Sequence, residues 1–309
     1  MEAEPFPELK IKPADFLNKL DGRSKCSKCD RSRKFYCYTC YLPVPEIKGR
    51  VPKVKLPIKV DIIKHPSEVD GKSTAVHAGV LAPDDVTIYT YPCIPDYDKD
   101  KVVVVFPCET SVSVDQLVRR DTNNPSKCES GLKRAAPSND EQTDLIPNKI
   151  AKVDYVGNDE KRCSNGKPEN TASGNGLCQN ATSSVESDAQ KANCLIERVV
   201  FIDSTWNQCK SICNDERLKG LQCVELKSEK TKFWRHQKNN PATYLSTIEA
   251  IYYFMREFHQ QFVDQAYTAQ YDNLLFFFNF MYKKIRNLYD GGDNLKAYKS
   301  RREKAKEKS

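Results

Sequence analysis

A chain of 309 residues with 49 Lys and Arg against 42 Asp and Glu carries a net charge of +7, and its hydrophobic content is 39%. It is long enough to bury a core without staples, no run approaches the roughly 18 apolar residues of a membrane span, and its opening MEAEPFPELK has no apolar stretch that would make a secretory leader expected. Thirteen cysteines without a leader argue for reduced thiols, some on a metal; a membrane protein and a small secreted scaffold are excluded, and the basic charge permits a polyanionic partner without naming one.

In chain order, residues 1–22 are expected to be a flexible N-terminus. Residues 23–48 hold the sharpest local signal, Cys26-Ser-Lys-Cys29 followed by Cys37-Tyr-Thr-Cys40. Two C-x-x-C knuckles this close place four thiolates around one tetrahedral Zn²⁺ with no open position, so the site is expected to be structural; the alternative is a redox pair or scattered thiols. Arg23, Lys25, Lys28, Arg31, Arg33 and Lys34 surround the cysteines, interleaved with Phe35, Tyr36, Tyr38 and Tyr41. Such a basic, aromatic knob suits contact with phosphates and bases, although the same aromatics would also serve to pack the knuckle.

Residues 49–120 and 195–290 read as one α/β domain. Leu56–Ile63 alternates apolar and polar residues around a proline, which suggests a strand near an edge. Val86–Tyr91, Val102–Phe106 (VVVVF), Val199–Ile202 (VVFI) and Val224–Leu226 follow as strands, the valine run suiting a buried one. A helix-compatible stretch, Asn207–Lys219, separates the last two, and this rhythm argues for a mostly parallel, helix-covered sheet. Between them, residues 121–194 contain only 20 apolar or aromatic residues in 74, with no sustained period, so this segment is read as a disordered insert.

The last third is helical. Leu245, Ile248, Ile251, Tyr252, Met255, Phe258 and Phe262 recur at steps of three and four, and Ser246 with Glu249 forms a capping-box signature that starts the helix at Ser246. A second, aromatic helix is expected from about Asp272 to Leu288, and residues 291–309 form a charged, frayed tail.

Chemistry concentrates at Phe201-Ile-Asp203-Ser-Thr205-Trp206. A strand ending in Asp delivers a carboxylate to the carboxyl edge of the sheet, where open α/β sheets bind ligands. There an acid takes a proton or grips a cation, and an indole stacks on a base or covers a sulfonium; the plainer reading makes Asp203 an N-cap and Trp206 core filling. Gly71-Lys72-Ser73-Thr74 resembles the end of a phosphate loop, but the glycine run before it is missing, so nucleoside triphosphate binding is rejected. His65 and His77 are weak metal candidates against the plainer reading of hydrogen-bonded or exposed histidines. Cys93, Cys108, Cys209, Cys213 and Cys223 show no Cys/His catalytic arrangement.

With Asp203-Ser-Thr205-Trp206 and with Pro241 ahead of Leu245-Ser246-Thr247-Ile-Glu249-Ala250, the chain resembles the DTW-domain family, whose signatures are D-x-T-W and a proline before S-T-x-E-A. KHPSEVDGKSTAVHA, IYTYPCIPDY, DERLKGLQCVELK and FWRHQK add to the resemblance, which spans roughly Arg23 to Met281 outside the insert. It implies a SPOUT-like domain with a knotted C-terminal half, a topology that spacing alone never suggests. It also implies transfer of the 3-amino-3-carboxypropyl group of S-adenosylmethionine to N3 of a uridine, at position 20 in the dihydrouridine loop of cytoplasmic tRNAs, with release of 5′-methylthioadenosine.

On that reading Asp203 is the base or the anchor of the donor's amino group, Thr205 orients Asp203 or bonds the donor, and Trp206 stacks on a base. Ser204, Ser246, Thr247 and Lys72 fall to the donor, Ser246 serving equally as a helix cap and Lys72 equally as an RNA phosphate contact. The resemblance favours the nucleus, with the cytoplasm as a further location, and Lys133-Arg134 and the basic tail are weak import cues. The chain departs from the family at Phe106-Pro107-Cys108-Glu109, where a glycine is expected after the proline, and a cysteine tightens backbone approach to the donor. The rival readings are a SPOUT-type RNA methyltransferase and a non-catalytic zinc-containing RNA-binding protein.

Overall fold

A computed structural model describes residues 4–117, 119–120, 193–226, 229–234 and 241–290. Two compact units divide the chain, 1–123 with 190–309, and 124–189. The second lies wholly outside the described residues, as do the tail 291–309 and almost all of 121–194, the segment expected to be disordered.

The first unit is built on five parallel strands, β1 (Lys59–Lys64), β2 (Val86–Thr90), β3 (Val102–Val105), β4 (Arg198–Asp203) and β5 (Gln222–Val224). They lie side by side in the order β5-β3-β4-β1-β2. Val199, Val200 and Phe201 of β4 are buried on both faces, as a central parallel strand requires. The strand expected near an edge, β1, lies one in from the edge strand β2, between it and β4. Pro57, which suggested the edge, precedes the first paired residue, so its missing N–H costs the ladder nothing.

Four helices cover this sheet: α1 (Ala75–Leu81), α2 (Trp206–Cys213), α3 (Thr247–Phe262) and α4 (Phe276–Asp290). One sheet face, including Val60, Ile62, Val103 and Phe201, packs on Ile248, Ile251, Tyr252 and Met255 of α3, the stripe that the three-and-four spacing marks. The other face, with Ile63, Val102, Val104 and Val200, packs on Ile212 of α2 and on Leu218 and Leu221 after it. The aromatic α4 is divided: Phe278 joins the main core, while Phe276, Phe277 and Phe280 build a second cluster with Phe35, Val44 and Ile47. That division explains a helix apolar on more than one side. No helix among the described residues is long and apolar enough to cross a membrane.

Residues 4–22, expected to be flexible, are packed. Phe6 enters the main core and Leu17 is fully buried. The Lys10 N–H donates to Asp272 Oδ2 at 2.7 Å and the Lys12 N–H to Asn273 Oδ1 at 2.8 Å. Isolated apolar residues in a proline-broken stretch show no period, so the anchoring is tertiary and invisible locally.

His77, on α1, is a core histidine. Its Nε2 lies 2.8 Å from the Tyr36 hydroxyl, Phe277 flanks its ring, and burial pushes its pKa down to about 3. The folded state therefore keeps it neutral while the unfolded chain takes up a proton below about pH 6.5. Its stabilising effect is complete above that pH and is lost as the pH falls toward 3, by about 2 kcal/mol at pH 5. Denaturant unfolding at pH 7.5 and pH 5 should show His77→Gln losing about 2 kcal/mol less than wild type between them; equal losses would contradict the assignment.

Candidate active site and cysteine knuckle

All five strands point their carboxyl ends at one edge, and Asp203, Lys64 and Thr90 end β4, β1 and β2 in register there. Asp203 is only 5% exposed, yet each of its oxygens accepts a hydroxyl proton. Ser73 Oγ donates to Oδ2 at 2.7 Å and Thr247 Oγ1 to Oδ1 at 2.7 Å. Burial raises its pKa against the opposing effect of the Thr247 and Ser73 hydroxyls, and then of Lys64. Lys64 itself is paired with Asp70.

The groups around Asp203 come from the starts of two helices. Ser73 lies just before α1, and its oxygen also accepts from the Ala75 N–H at 3.1 Å. Thr74 accepts from the Ile248 N–H at 3.3 Å, so the start of α3 is tied directly to the start of α1. Ser246 caps α3 as its spacing indicates, with its N–H and hydroxyl 2.9 and 2.7 Å from Glu249 Oε2. Glu249 does more than close that box. Fully buried, it also accepts from Thr231 Oγ1 at 2.8 Å and from the Lys232 N–H at 2.6 Å, which clips the segment 229–234 to α3.

These elements enclose a cavity of about 710 Å³, within the roughly 300–1,000 Å³ common for ligand pockets. Asp203, Ser204, Thr205, Ser246, Thr247 and Lys72 all line it, so the structure gathers these expected site residues at one place. Ser204 Oγ is buried without a hydrogen-bond partner, the condition of a donor awaiting a ligand. Thr205, however, is the N-cap of α2, its N–H bonded to Gln208 Oε1 at 3.2 Å. The orientation of Asp203 comes from Ser73 and Thr247, and Thr205 rather than Asp203 is the cap. Trp206 opens α2, and its side chain lies outside the described residues.

Sequence reasoning missed several lining groups: Ser73 and Thr74, the carboxylates Glu68 and Glu225, and the aromatic Phe233 and Tyr244. Only the Ser-Thr pair at the start of both α1 and α3 offered a signal for the first two. Cys108, where the family pattern expects glycine, follows the lining residues Phe106 and Pro107. Among the described non-glycine residues φ is positive only at Asp30, Tyr41 and Ala269, so the loop accepts a cysteine without strain.

The four cysteines of the knuckle converge as expected, their sulfurs all within 4.8 Å of one another. Cys29 Sγ and Cys37 Sγ are 3.6 Å apart, close to the ~3.8 Å edge of a tetrahedron with Zn–S bonds of about 2.3 Å. Asp30 and Tyr41, each directly after the second cysteine of a knuckle, take matching left-handed turns with φ of 54° and 55°. Burial works against ionising Cys37, but the N–H groups of Thr39 and Cys40 and the Arg33 side chain hold its pKa down to about 6. An all-sulfur set of this size suits a soft, tetrahedral divalent cation.

Arg23, Lys25, Lys28, Arg31 and Lys34 remain exposed around the cysteines. Arg33 does not join them: it is buried, with its guanidinium 3.7 Å from the Tyr38 ring centre. Phe35 and Tyr36 are likewise spent on packing, against Phe280 at 5.1 Å and Phe277 at 4.7 Å between ring centres. The knuckle thus docks on α4 and α1 through its aromatics and shows solvent its charges. Tyr41 lies in turn against Gly79, where an added Cβ would come 3.3 Å from Tyr41 Cγ. Burial, then the charges of Asp70 and Asp203, raises the Tyr41 pKa.

The DTW domain matches residues 34–286. The tRNA-uridine aminocarboxypropyltransferase 1 of Xenopus tropicalis is 48% identical over 274 residues, covering 86% of this chain and 80% of that protein. The Homo sapiens protein of the same name is 44% identical over 306 residues, covering 94% and 86%, and that of Mus musculus 44% over 299 residues, covering 95% and 88%. No solved structure matches the chain. The match takes in both motifs that meet at the pocket, Asp203-Ser-Thr205-Trp206 and Ser246-Thr247-Ile-Glu249-Ala250, and the chain belongs to the DTW-domain family.

Proposed function

We propose that this chain is a tRNA-uridine aminocarboxypropyltransferase, moving the 3-amino-3-carboxypropyl group of S-adenosylmethionine onto N3 of a uridine and releasing 5′-methylthioadenosine. The observation that carries this reading is the cavity at the carboxyl edge of the sheet, walled by the two family motifs and closed around a buried carboxylate. Its relatives of that name are 42–48% identical over most of their length.

The residues divide the work by their chemistry. Lys72 and the positive end of the α3 dipole suit the donor's carboxylate, and Glu68 and Glu225 suit its ammonium. Ser204 supplies an unpartnered hydroxyl, and Phe106, Phe233 and Tyr244 offer apolar walls for the adenine. The sulfonium makes each attached carbon electrophilic, so presentation decides which one the uracil meets. Asp203 provides the proton sink that an N3 nucleophile needs near neutrality.

The finer features of the reading have their own supports. Four converging cysteines support a structural Zn²⁺ in the knuckle. Five exposed basic residues on the knuckle support a contact surface for a tRNA backbone, and a base held out of the stack in the dihydrouridine loop, at position 20, fits a pocket of this size. A SPOUT-type knot is supported by the return of the chain after β5, which lays Thr247 back on the end of β4. Basic residues at Lys133-Arg134 and in the tail KSRREKAKEKS support nuclear import.

Incubation with unmodified tRNA and S-adenosylmethionine should yield 5′-methylthioadenosine and an aminocarboxypropylated uridine. Formation of S-adenosylhomocysteine would instead make the protein a methyltransferase, and the absence of both products would make it a non-catalytic binder. Native mass spectrometry should find about one Zn²⁺ per chain, lost on replacing Cys26 and Cys29 by Ser; a metal-free, fully folded wild type would overturn the zinc assignment.

A further inference from the structure

We infer that Thr247 is a catalytic residue, its hydroxyl accepting the N3 proton of the uridine while handing its own proton to Asp203. This rests on the alkylation at N3 proposed above. Asp203 is almost wholly buried and both its oxygens are already covered by hydroxyls, Ser73 on one and Thr247 on the other, each at 2.7 Å. A uracil entering the cavity therefore meets a hydroxyl before it meets the carboxylate.

The hydroxyls of Ser73, Thr74, Ser246 and Ser204, which also line the pocket, lack a feature that Thr247 has. Ser73 is itself buried, and its oxygen already accepts from the Ala75 N–H. Thr74 accepts from the Ile248 N–H. The Ser246 hydroxyl is directed to Glu249, within the cap. Ser204 has no partner and hence no acid to receive a proton. Thr247 alone among these is half-buried, lines the cavity and points its proton at Asp203. With that proton committed inward, its oxygen lone pairs are what remain for an N–H donor. Ser73 then acts as a positioning residue that fixes the second oxygen of Asp203.

The step balances. The N3–C bond forms as the C–S bond breaks, and the bonding pair returns to sulfur to leave a neutral thioether. The N3 proton passes to Thr247 Oγ1, whose own proton passes to Asp203 Oδ1, so one proton in all moves from substrate to carboxylate. Burial, which raises the proton affinity of Asp203, favours this direction. The charged and titratable groups facing it are Lys64, Asp70 and Tyr41.

Single-turnover formation of 5′-methylthioadenosine tests the relay in Thr247→Val, Thr247→Ala and Thr247→Ser, with folding checked by thermal unfolding. Donor affinity is measured by calorimetry with S-adenosylmethionine and tRNA affinity by filter binding. Thr247→Ser should keep the rate within about fivefold, and the Val and Ala variants should lose about 10²–10⁴-fold with both affinities nearly unchanged. Asp203→Asn combined with Thr247→Ala should lose no more than the worse single variant, because the two act as one unit. For wild type, rates in mixed H₂O and D₂O should bow with isotope content, as two moving protons require. A linear dependence, a hydroxyl-free variant within about threefold of wild type, or a rate loss matched by lost donor affinity would overturn the relay. If the proposed function itself were wrong, wild type would form no methylthioadenosine at all.

Discussion

The pocket depends on one buried carboxylate. Asp203 sits at the end of the central strand, and its two hydroxyl partners come from residues 130 and 44 positions away in the chain. Taking an ionised carboxyl from water is costly unless its oxygens are satisfied, and a hydrogen bond to a charged group stabilises by about 1.5–3 kcal/mol. Those two bonds work against the cost of burial and also organise the chain. They draw the starts of α1 and α3 to one point on the sheet edge, and the Thr74 contact with the Ile248 N–H locks the two helix starts together. Without Asp203, each hydroxyl loses its acceptor and the pocket loses its floor.

A second buried acid repeats the device on the other wall. Glu249 gathers four hydrogen-bond donors from Ser246, Thr231 and Lys232, and so sets the segment bearing Phe233 against the start of α3. Burial raises its pKa, and Ser246, Lys232 and Thr231 act against that rise. Both acids belong to the family's two short motifs. The motifs are thus legible as paired clamps, one shaping the sheet edge and the other the loop that covers it. The knuckle is held by different means: its aromatics join α4 and α1 by packing, which leaves its cations on the solvent side.

Much of this was open to reading from residues. The valine-rich strands declare themselves because a central parallel strand is apolar on both faces, and α3 declares itself by a stripe and a cap that agree. The four cysteines converge because their spacing permits little else. Other features had no local trace. Pro57 lies just outside the ladder of a strand one in from the edge, and a proline's effect depends on whether its neighbours pair, which only the register reveals. Phe6 packs on Phe278, hundreds of residues distant in sequence, and Leu17 joins a cluster that runs from Phe35 to Phe280, so their anchoring has no period to detect. Ser73 looked like the remnant of a phosphate loop, and its bond to Asp203 exists only once the sheet has formed. Arg33, Phe35 and Tyr36 counted toward a binding face until packing claimed them.

The central claim is that Asp203, held in this way, makes the chain an aminocarboxypropyltransferase of tRNA. It is tested most directly by nucleoside mass spectrometry of individual tRNAs from cells lacking the protein, complemented with wild type or with Asp203→Ala at matched protein levels. The account predicts that aminocarboxypropyluridine disappears from a defined set of tRNAs and returns with wild type but not with Asp203→Ala. Full restoration by Asp203→Ala, or unaltered modification in cells without the protein, would contradict it.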